Sequence, residues 1–236
     1  MDKSEKRFER DIEAFLISPE GGYVQFNGQD AEGNWIHNRQ HDISKCIYMD
    51  VLCEFIAKTQ PKEWAKYTKY YGDNAADKLY HRLETTISNQ GLLYVLRNGI
   101  EDMGCKLKVC YFKPESDLNP IATERYEANI LGCTRQFRYT TANSNTIDMA
   151  LSVNGIPVVA LELKNQLIGI TSAHNARQLG GYKIGKKTVK DNLLILKKVQ
   201  LYFFEKLGIF KDKAQKTWGD IKYEFFSAKI FIFHIL

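Results

Sequence analysis

The stretch that decides the fold runs from Asn145 to Asn165 and reads NTIDMALSVNGIPVVALELKN. Two apolar runs flank the pair Asn154-Gly155, and an Asn-Gly pair in that setting predicts a β-hairpin. Because side chains alternate between the faces of a strand, Asp148 on the first strand, and Glu162 and Lys164 on the second, lie opposite the apolar faces. Charged side chains avoid buried strands unless they are paired or do chemistry. The hairpin is therefore the candidate site.

The length of the turn sets which side chains face each other across the hairpin. A plain two-residue turn would put Asp148 across from Leu161 and mix the two faces. One extra residue in the turn, with Gly155 in a left-handed bulge conformation, puts Asp148 across from Glu162. Pro157 cannot donate to a strand ladder, which also favours a wider turn. We predict the turn of odd length, with two carboxylates in register.

Two neighbouring carboxylates repel each other unless a cation lies between them. Mg2+ prefers carboxylate oxygens, waters and substrate phosphates; it lowers the pKa of a bound water and neutralises charge that develops on a phosphate. A lysine beside it would orient that water or stabilise the developing charge. Asp148, Glu162 and Lys164 thus form a candidate site for phosphodiester hydrolysis. The alternative is a solvated outer face with Asp148 at a strand end.

The composition limits the class of protein. The chain has 236 residues, of which 44% are hydrophobic and 26% charged, which is ordinary for a globular protein. Its formal charge of +5 is a weak hint of a polyanionic partner. No apolar run approaches the roughly 20 residues of a membrane helix, and the first residues do not form a signal peptide. The five cysteines include no C-x-x-C pair, so we expect reduced thiols and a cytoplasmic protein.

The order of predicted elements indicates an α/β fold, with a mixed β-sheet flanked by helices and a helical N-terminal part. The first helix is KRFERDIEAFL, and a polar loop follows it to about His41. Further elements are predicted in this order: helices at 43–58, from Pro61, from Asn74 and in GLLYVLRNGIEDMG; a strand in KLKVCYF; a helix at 122–131; a strand in TRQFRYT; the hairpin; a helix at 176–182; and an apolar strand at the end.

Beyond the charged triplet, an ordered series of segments resembles a known family. The segments are GLLYVLRNGIEDMGCKLKVCYFKPESDLNP, YEANILGCTRQFRY, NTIDMALSVNGIPVVALELKNQLIGIT and ARQLGGY. In this order they resemble the N-terminal endonuclease domain of the R (restriction) subunit of type I restriction-modification enzymes, in the PD-(D/E)xK nuclease superfamily. The resemblance extends from about Leu83 to Tyr182, and more thinly back to Phe8. It implies a restriction-endonuclease-like sheet.

The resemblance also implies roles for individual residues. Asp148 and Glu162 would be metal ligands and Lys164 the catalytic lysine. A glutamate on the first helix often completes the site in this family. Glu9 matches that position and Glu13, one turn later, competes with it; the alternative for Glu9 is an ordinary exposed helix residue.

Five further positions are candidates for supporting the site or contacting DNA. Gln178 and Tyr182 match the Q-x-x-x-Y motif that follows the catalytic strand in this branch, and at that spacing they share one helix face. Arg135, with Gln136 and Arg138, would face the DNA backbone, since arginine suits phosphate. The alternative for these three is a solvated strand face.

At the level of the whole chain, the resemblance implies a Mg2+-dependent DNA endonuclease without intrinsic sequence specificity. Its partners would be double-stranded DNA and the methyltransferase and specificity subunits of a restriction-modification complex. We expect one endonuclease domain over residues 1–236, with the nuclease core at about 83–185. The segment 186–236 departs from the family pattern, either because the chain is an excised fragment or because its reading frame is truncated.

Two other functions remain open at this stage. The sequence contains no Gly-x-x-x-x-Gly-Lys-Ser/Thr phosphate loop, so ATP would act only through motor domains that these residues do not include. A catalytically silent DNA-binding or docking module is therefore one alternative. A repair or recombination nuclease of the same superfamily is another, although the segment order from Gly91 onward argues against it.

Overall fold

The computed structural model describes residues 5–116 and 118–161, which contain both helices and strands. The α-helices of these ranges are α1 (Glu5–Leu16), α2 (Met49–Thr59), α3 (Pro61–Tyr71), α4 (Ala75–Gln90), α5 (Leu92–Asn98) and α6 (Pro120–Glu127), and a short 3-10 helix (Gly72–Asn74) lies between α3 and α4. The strands are β1 (Val24–Gln29), β2 (Trp35–His37), β3 (Ile100–Asp102), β4 (Cys105–Leu107), β5 (Leu131–Arg138), β6 (Thr146–Val153) and β7 (Ile156–Leu161).

Five of these strands form one sheet in the order β2-β1-β5-β6-β7. Strand β1 runs parallel to β5, while the other neighbours are antiparallel, so the sheet is mixed. Strands β3 and β4 form a separate two-stranded hairpin. A mixed sheet with helices, preceded by a helix at the N-terminal side, confirms the predicted α/β class.

The helices α1, α3 and α4 lie close to where the sequence predicts them. The helix predicted over GLLYVLRNGIEDMG ends at Asn98 as α5, and the prediction is wrong for Ile100–Asp102, which form β3. The helix predicted at 122–131 is α6, which ends at Glu127, and Leu131 already belongs to β5. Helix α3 begins at Pro61 and ends before Gly72, whose φ of +56° stops the helix. Helix α4 begins directly after Asn74, although the Asn74 side chain makes no capping hydrogen bond. The strand predicted in KLKVCYF is shorter than expected, because only Cys105–Leu107 is paired. The predicted elements at 176–182 and at the end of the sequence lie outside the described residues.

Helix α2 begins at Met49 rather than at the predicted residue 43. The Asp42 side chain explains the delay, because its Oδ1 accepts hydrogen bonds from the backbone N–H groups of Ser44 (3.0 Å) and Lys45 (3.2 Å). An aspartate that bonds the backbone of the residues after it holds a turn in place of the first turn of a helix.

The polar loop predicted up to about His41 is wrong, because this segment contains β1 and β2. Strand β1 reads VQFNGQ, and Phe26 is its one fully buried large side chain. The ladder to β5 holds the strand in place, together with a hydrogen bond from the side-chain amide of Asn27 to the backbone carbonyl of Arg135 (3.0 Å). A strand stabilised by backbone pairing more than by apolar side chains leaves little signal in the sequence.

The hairpin turn is a plain two-residue turn, so the predicted turn of odd length is wrong. Val153 pairs with Ile156, and Asn154 and Gly155 have φ values of +50° and +83°, as a tight hairpin turn between right-twisted strands requires. The extra residue lies one step farther along, at Val158. It forms a bulge there rather than widening the turn.

Beyond this bulge, the hairpin has the register that the wider turn was expected to produce. Ser152 pairs with Pro157, but Leu151 pairs with Val159. The last described pair is Met149 with Leu161. A bulge next to Pro157 fits a residue that has no N–H to donate to the ladder. The prediction of the register is therefore confirmed as far as Leu161.

Side-chain and backbone bonds of the turn attach the hairpin to the rest of the protein. The buried Asn154 side chain accepts a hydrogen bond from the N–H of Ile130 (2.7 Å) and donates to the carbonyl of Val109 (2.8 Å). The carbonyl of Gly155 accepts from the N–H of Tyr48, directly before α2 (3.1 Å). The turn therefore fixes the position of the sheet relative to the helices.

The core consists of two clusters of buried apolar side chains. The larger joins residues of α1 to α5 to strands β5, β6 and β7, with Phe55, Leu79 and Leu151 among its members. The smaller surrounds Phe26 and Phe137. All five cysteines are free, as predicted. None of the helices in the described ranges is both long and apolar enough to cross a bilayer.

Candidate active site

Asp148 lies on β6, which is paired on both sides, and its side chain is half-buried. The next residue, Met149, pairs with Arg135 on β5 and with Leu161 on β7. In this antiparallel register, the β5 residue across from Asp148 is Gln136. The predicted metal ligand therefore occupies a central position of the sheet, next to Arg135 and Gln136.

Arg135 brings two glutamates of α1 onto the sheet. Its Nε donates to Oε1 of Glu9 (2.8 Å) and its Nη1 donates to Oε2 of Glu13 (3.1 Å). Only 3% of Arg135 and 5% of each glutamate is exposed. The reading of Glu9 as an exposed helix residue is therefore wrong.

The sequence of α1 explains why both glutamates face inward. Glu9 and Glu13 are four residues apart and so lie on one stripe of the helix. The same face carries Ile12 and Leu16, which are buried in the core. Two carboxylates on a buried stripe would repel each other without a cation between them, and the guanidinium of Arg135 is that cation.

The carboxylates keep this guanidinium charged. Burial by itself would lower the pKa of Arg135, but the hydrogen bonds and charges of Glu9 and Glu13 outweigh it and raise the pKa above its ordinary value. The expectation that Arg135 faces either DNA or solvent is wrong, because its side chain is enclosed and occupied by the two glutamates. Support of the site remains a prediction for this residue.

The two glutamates differ in their second partner. Glu13 Oε1 accepts a hydrogen bond from Nε2 of Gln25 on β1 (2.9 Å). Both oxygens of Glu9 are instead within reach of Nε2 of Gln136, at 3.4 Å and 3.3 Å. Because Gln136 is the residue across from Asp148, Glu9 is the glutamate held toward the predicted site. This geometry favours Glu9 over Glu13.

Gln136 has a backbone conformation that is rare for its residue type. Its φ is +48° although it lies inside β5. Such a conformation costs on the order of 1–3 kcal/mol for a residue other than glycine, and such strain concentrates at functional sites. Two successive side chains, Arg135 and Gln136, both reach α1 here, although regular alternation would send them to opposite faces. Nothing in the sequence signals this feature.

Arg138 lies farther along β5 and supports the loop that leads to β6. Its Nη2 donates to the carbonyl of Asn143 (3.0 Å), and its Nε donates to the carbonyl of Thr140 (3.2 Å). These contacts account for Arg138 without a DNA backbone.

The remaining predicted site residues lie outside the described residues. They are Glu162, Lys164, Gln178 and Tyr182. Within residues 5–116 and 118–161 there is no group of three or more His, Cys, Asp or Glu side chains that could hold a metal ion. The geometry thus covers the Asp148 and Glu9 side of the predicted site.

The family model of the type I restriction enzyme R protein N terminus matches residues 8–204 of the 236. The chain belongs to this family. No curated protein and no solved structure matches the chain. The matched range of this R-protein N-terminal region begins one residue before Glu9 and includes the hairpin, so it contains every predicted site residue.

Proposed function

We propose that this R-protein N-terminal region is a Mg2+-dependent endonuclease that hydrolyses phosphodiester bonds of DNA without a sequence preference of its own. One observation supports it most: after the bulge, β6 and β7 pair in a register that ends at Met149 and Leu161. One further pair in that register would join Asp148 to Glu162. Membership of the restriction enzyme family supports the same reaction.

The residues fit a hard divalent cation. Asp148 and Glu162 would offer carboxylate oxygens, which are the ligands that Mg2+ prefers, and neither position offers a sulfur or imidazole ligand. Glu9 on α1 reaches the same part of the sheet through its contact with Gln136. When bound, Mg2+ supplies charge neutralisation for the phosphate and a water of lowered pKa.

Each side chain then has a defined task. Asp148 and Glu162 hold the cation, and Glu9 completes its surroundings. Lys164 orients the attacking water or stabilises charge on the phosphate. Gln178 and Tyr182 support the site or contact DNA from one helix face.

Membership of the family supports a wider assignment. Sequence recognition comes from a specificity subunit that acts with the methyltransferase subunit. ATP is used only by motor domains outside these residues. The protein acts in the cytoplasm.

Plasmid nicking by the 236-residue protein in the presence of Mg2+ tests the proposal. We expect Asp148→Asn and Lys164→Ala to lower the cleavage rate at least about 100-fold, because each removes a group that acts on the reacting phosphate. Asp73→Asn is the matched control, since Asp73 is exposed between α3 and α4 and should leave cleavage unchanged.

Two results would contradict the nuclease proposal. Equal cleavage by wild type and both variants would remove the roles of Asp148 and Lys164. Salt-sensitive DNA binding without any Mg2+-dependent cleavage by the wild type would indicate a DNA-binding or docking module instead.

A further inference from the structure

We propose that Gln136 is a positioning residue of the nuclease site, which aims the carboxylate of Glu9 at the part of the sheet that carries Asp148. The inference rests on the proposed function. It concerns a side chain that, from the sequence, was expected to face the DNA backbone or solvent and not the metal ligands. Three observations about Gln136 carry it.

The first observation is that its amide is oriented by its neighbours. The Thr146 hydroxyl donates to Oε1 of Gln136 (2.7 Å), so the amide nitrogen is left to point at Glu9. That nitrogen lies 3.3 Å from Glu9 Oε2 and 3.4 Å from Glu9 Oε1. The amide therefore connects α1 to the beginning of β6, two residues before Asp148.

The second observation is the backbone of Gln136. In the part of the chain that the structure describes, the non-glycine residues with positive φ are Cys46, Met103, Gln136 and Asn154. Met103 and Asn154 lie in hairpin turns and Cys46 in a loop, whereas Gln136 lies inside a strand. A strained residue in the middle of a ladder persists only when the surrounding structure holds it. Here the strained conformation directs the side chain at Glu9.

The third observation is that Glu9 has a second partner, so the effect of Gln136 on the position of Glu9 can be separated from its effect on the stability of the protein. The charge of Glu9 is already balanced by Arg135, whose Nε lies 2.8 Å away. Removing the Gln136 amide leaves this ion pair intact and removes the contacts of Gln136 with Glu9 and Thr146. A glycine at this position would adopt a φ of +48° without strain. We therefore expect Gln136→Gly to remove the positioning contact and still to fold.

The test compares wild type with Gln136→Gly and Thr146→Val, using the 236-residue protein. Thr146→Val keeps the shape of the side chain and removes the hydroxyl that orients the amide. Three quantities are measured: the unfolding temperature, Mg2+ binding by calorimetry without DNA, and the Mg2+ concentration for half-maximal plasmid nicking. We expect an unchanged or higher unfolding temperature for Gln136→Gly. Both variants should need about 10-fold or more Mg2+ for binding and for nicking, as when a partner of a metal ligand is lost.

The double variant gives the sharpest result. If the two side chains act through one contact with Glu9, Gln136→Gly combined with Thr146→Val should weaken Mg2+ binding no more than Gln136→Gly alone. Multiplied effects would overturn the proposal.

Its failure is distinguishable from failure of the nuclease function. Wild-type Mg2+ binding and nicking in a folded Gln136→Gly protein would exclude a positioning role and leave the nuclease in place. If the wild type binds Mg2+ but does not cut DNA, the Mg2+ affinities of the variants, measured by calorimetry, still show whether Gln136 positions Glu9. A wild type that neither binds Mg2+ nor cuts DNA overturns both proposals. If Gln136→Gly does not fold, Mg2+ binding and nicking by Thr146→Val test the positioning role instead.

Discussion

Arg135 is the residue through which α1 and the sheet are joined by charge. It is buried together with two carboxylates, and all three charges have partners. Breaking a buried ion pair by removing one partner costs far more than replacing the whole set by neutral groups, because it leaves an unbalanced charge without water.

We therefore predict that Arg135→Met lowers the free energy of unfolding by about 3–5 kcal/mol, measured by urea denaturation. Adding Glu9→Gln and Glu13→Gln should restore most of the loss, because no unbalanced charge is left. Arg10→Met, at an exposed position of α1, is the control and should change stability by less than about 0.5 kcal/mol. An Arg135→Met protein as stable as wild type would contradict the prediction.

His41 makes the stability of the protein depend on pH. Its ring lies against Phe137 (4.3 Å between centroids) and Tyr48 (5.0 Å), and its Nε2 has no hydrogen-bond partner among the described residues. Burial lowers the pKa of His41 to about 4, with the charge of Asp42 opposing the shift. The unfolded chain, with an ordinary histidine pKa of about 6.5, therefore takes up the proton first.

This contribution to stability is complete above about pH 6.5 and is lost as the pH falls through 6.5 toward 4, by about 3 kcal/mol. We predict that His41→Phe, which keeps an aromatic ring between Phe137 and Tyr48, removes this part of the acid dependence. Urea denaturation between pH 7 and pH 4 measures it. The exposed His37→Phe serves as control and should retain the wild-type pH dependence. The same slope in His41→Phe and wild type would count against a neutral, half-buried His41.

The residues of the site could be predicted only in part. Alternation along the hairpin placed Asp148 on a strand, and the structure agrees. Arg135 was misplaced because its partner Glu9 is 126 positions away in sequence, and no local pattern predicts such a contact. Gln136 was missed as part of the site because its strained φ results from the surrounding structure and not from a residue preference.

At the scale of elements, the turn motif of the hairpin predicts the turn itself but not the pairing beyond it. Asn154-Gly155 predicts the turn correctly, since both residues tolerate positive φ. The bulge at Val158 could not be located from sequence, because the missing N–H of Pro157 permits an extra residue at several positions. Strands β1 and β2 escaped prediction because β1 depends on pairing with β5, more than 100 residues later.

Gly155 provides a test of the hairpin contact with α2. An added Cβ would lie 2.2 Å from the carbonyl oxygen of Tyr48, and φ is +83°. Gly33 is a matched control, with φ of +87° and nothing within 4 Å of an added Cβ. We predict that Gly33→Ala costs about 1 kcal/mol for its backbone alone. Gly155→Ala should cost at least about 2 kcal/mol more, because the clash is with backbone. Equal losses in thermal unfolding would show that the contact with Tyr48 adjusts easily.

At the scale of the whole molecule, one part of the fold depends on contacts between neighbouring segments of the chain, and another part depends on contacts between segments far apart in sequence. Helices α2 to α5 are consecutive in the chain and pack against one another. The sheet instead joins the first strand to strands from the second half of the described chain. Local contacts form faster than distant ones, because closing a long loop costs entropy before any contact stabilises it.

We predict that the helices gain protection from hydrogen exchange before β1 does when the protein refolds from denaturant. Pulse labelling, with the amides of α2 and α4 compared with those of β1, measures the order. Simultaneous protection of β1 and the helices in a single phase would contradict it.

The parallel pairing of β1 with β5 has a consequence for a newly made chain. Asn27 and Arg135, which bond across this pair, are 108 positions apart. At a synthesis rate of roughly 5–20 residues per second, β1 leaves the ribosome about 5–20 seconds before its partner exists. During that interval Phe26 has no strand to cover it, so the nascent chain is a natural client for chaperones that shield apolar segments.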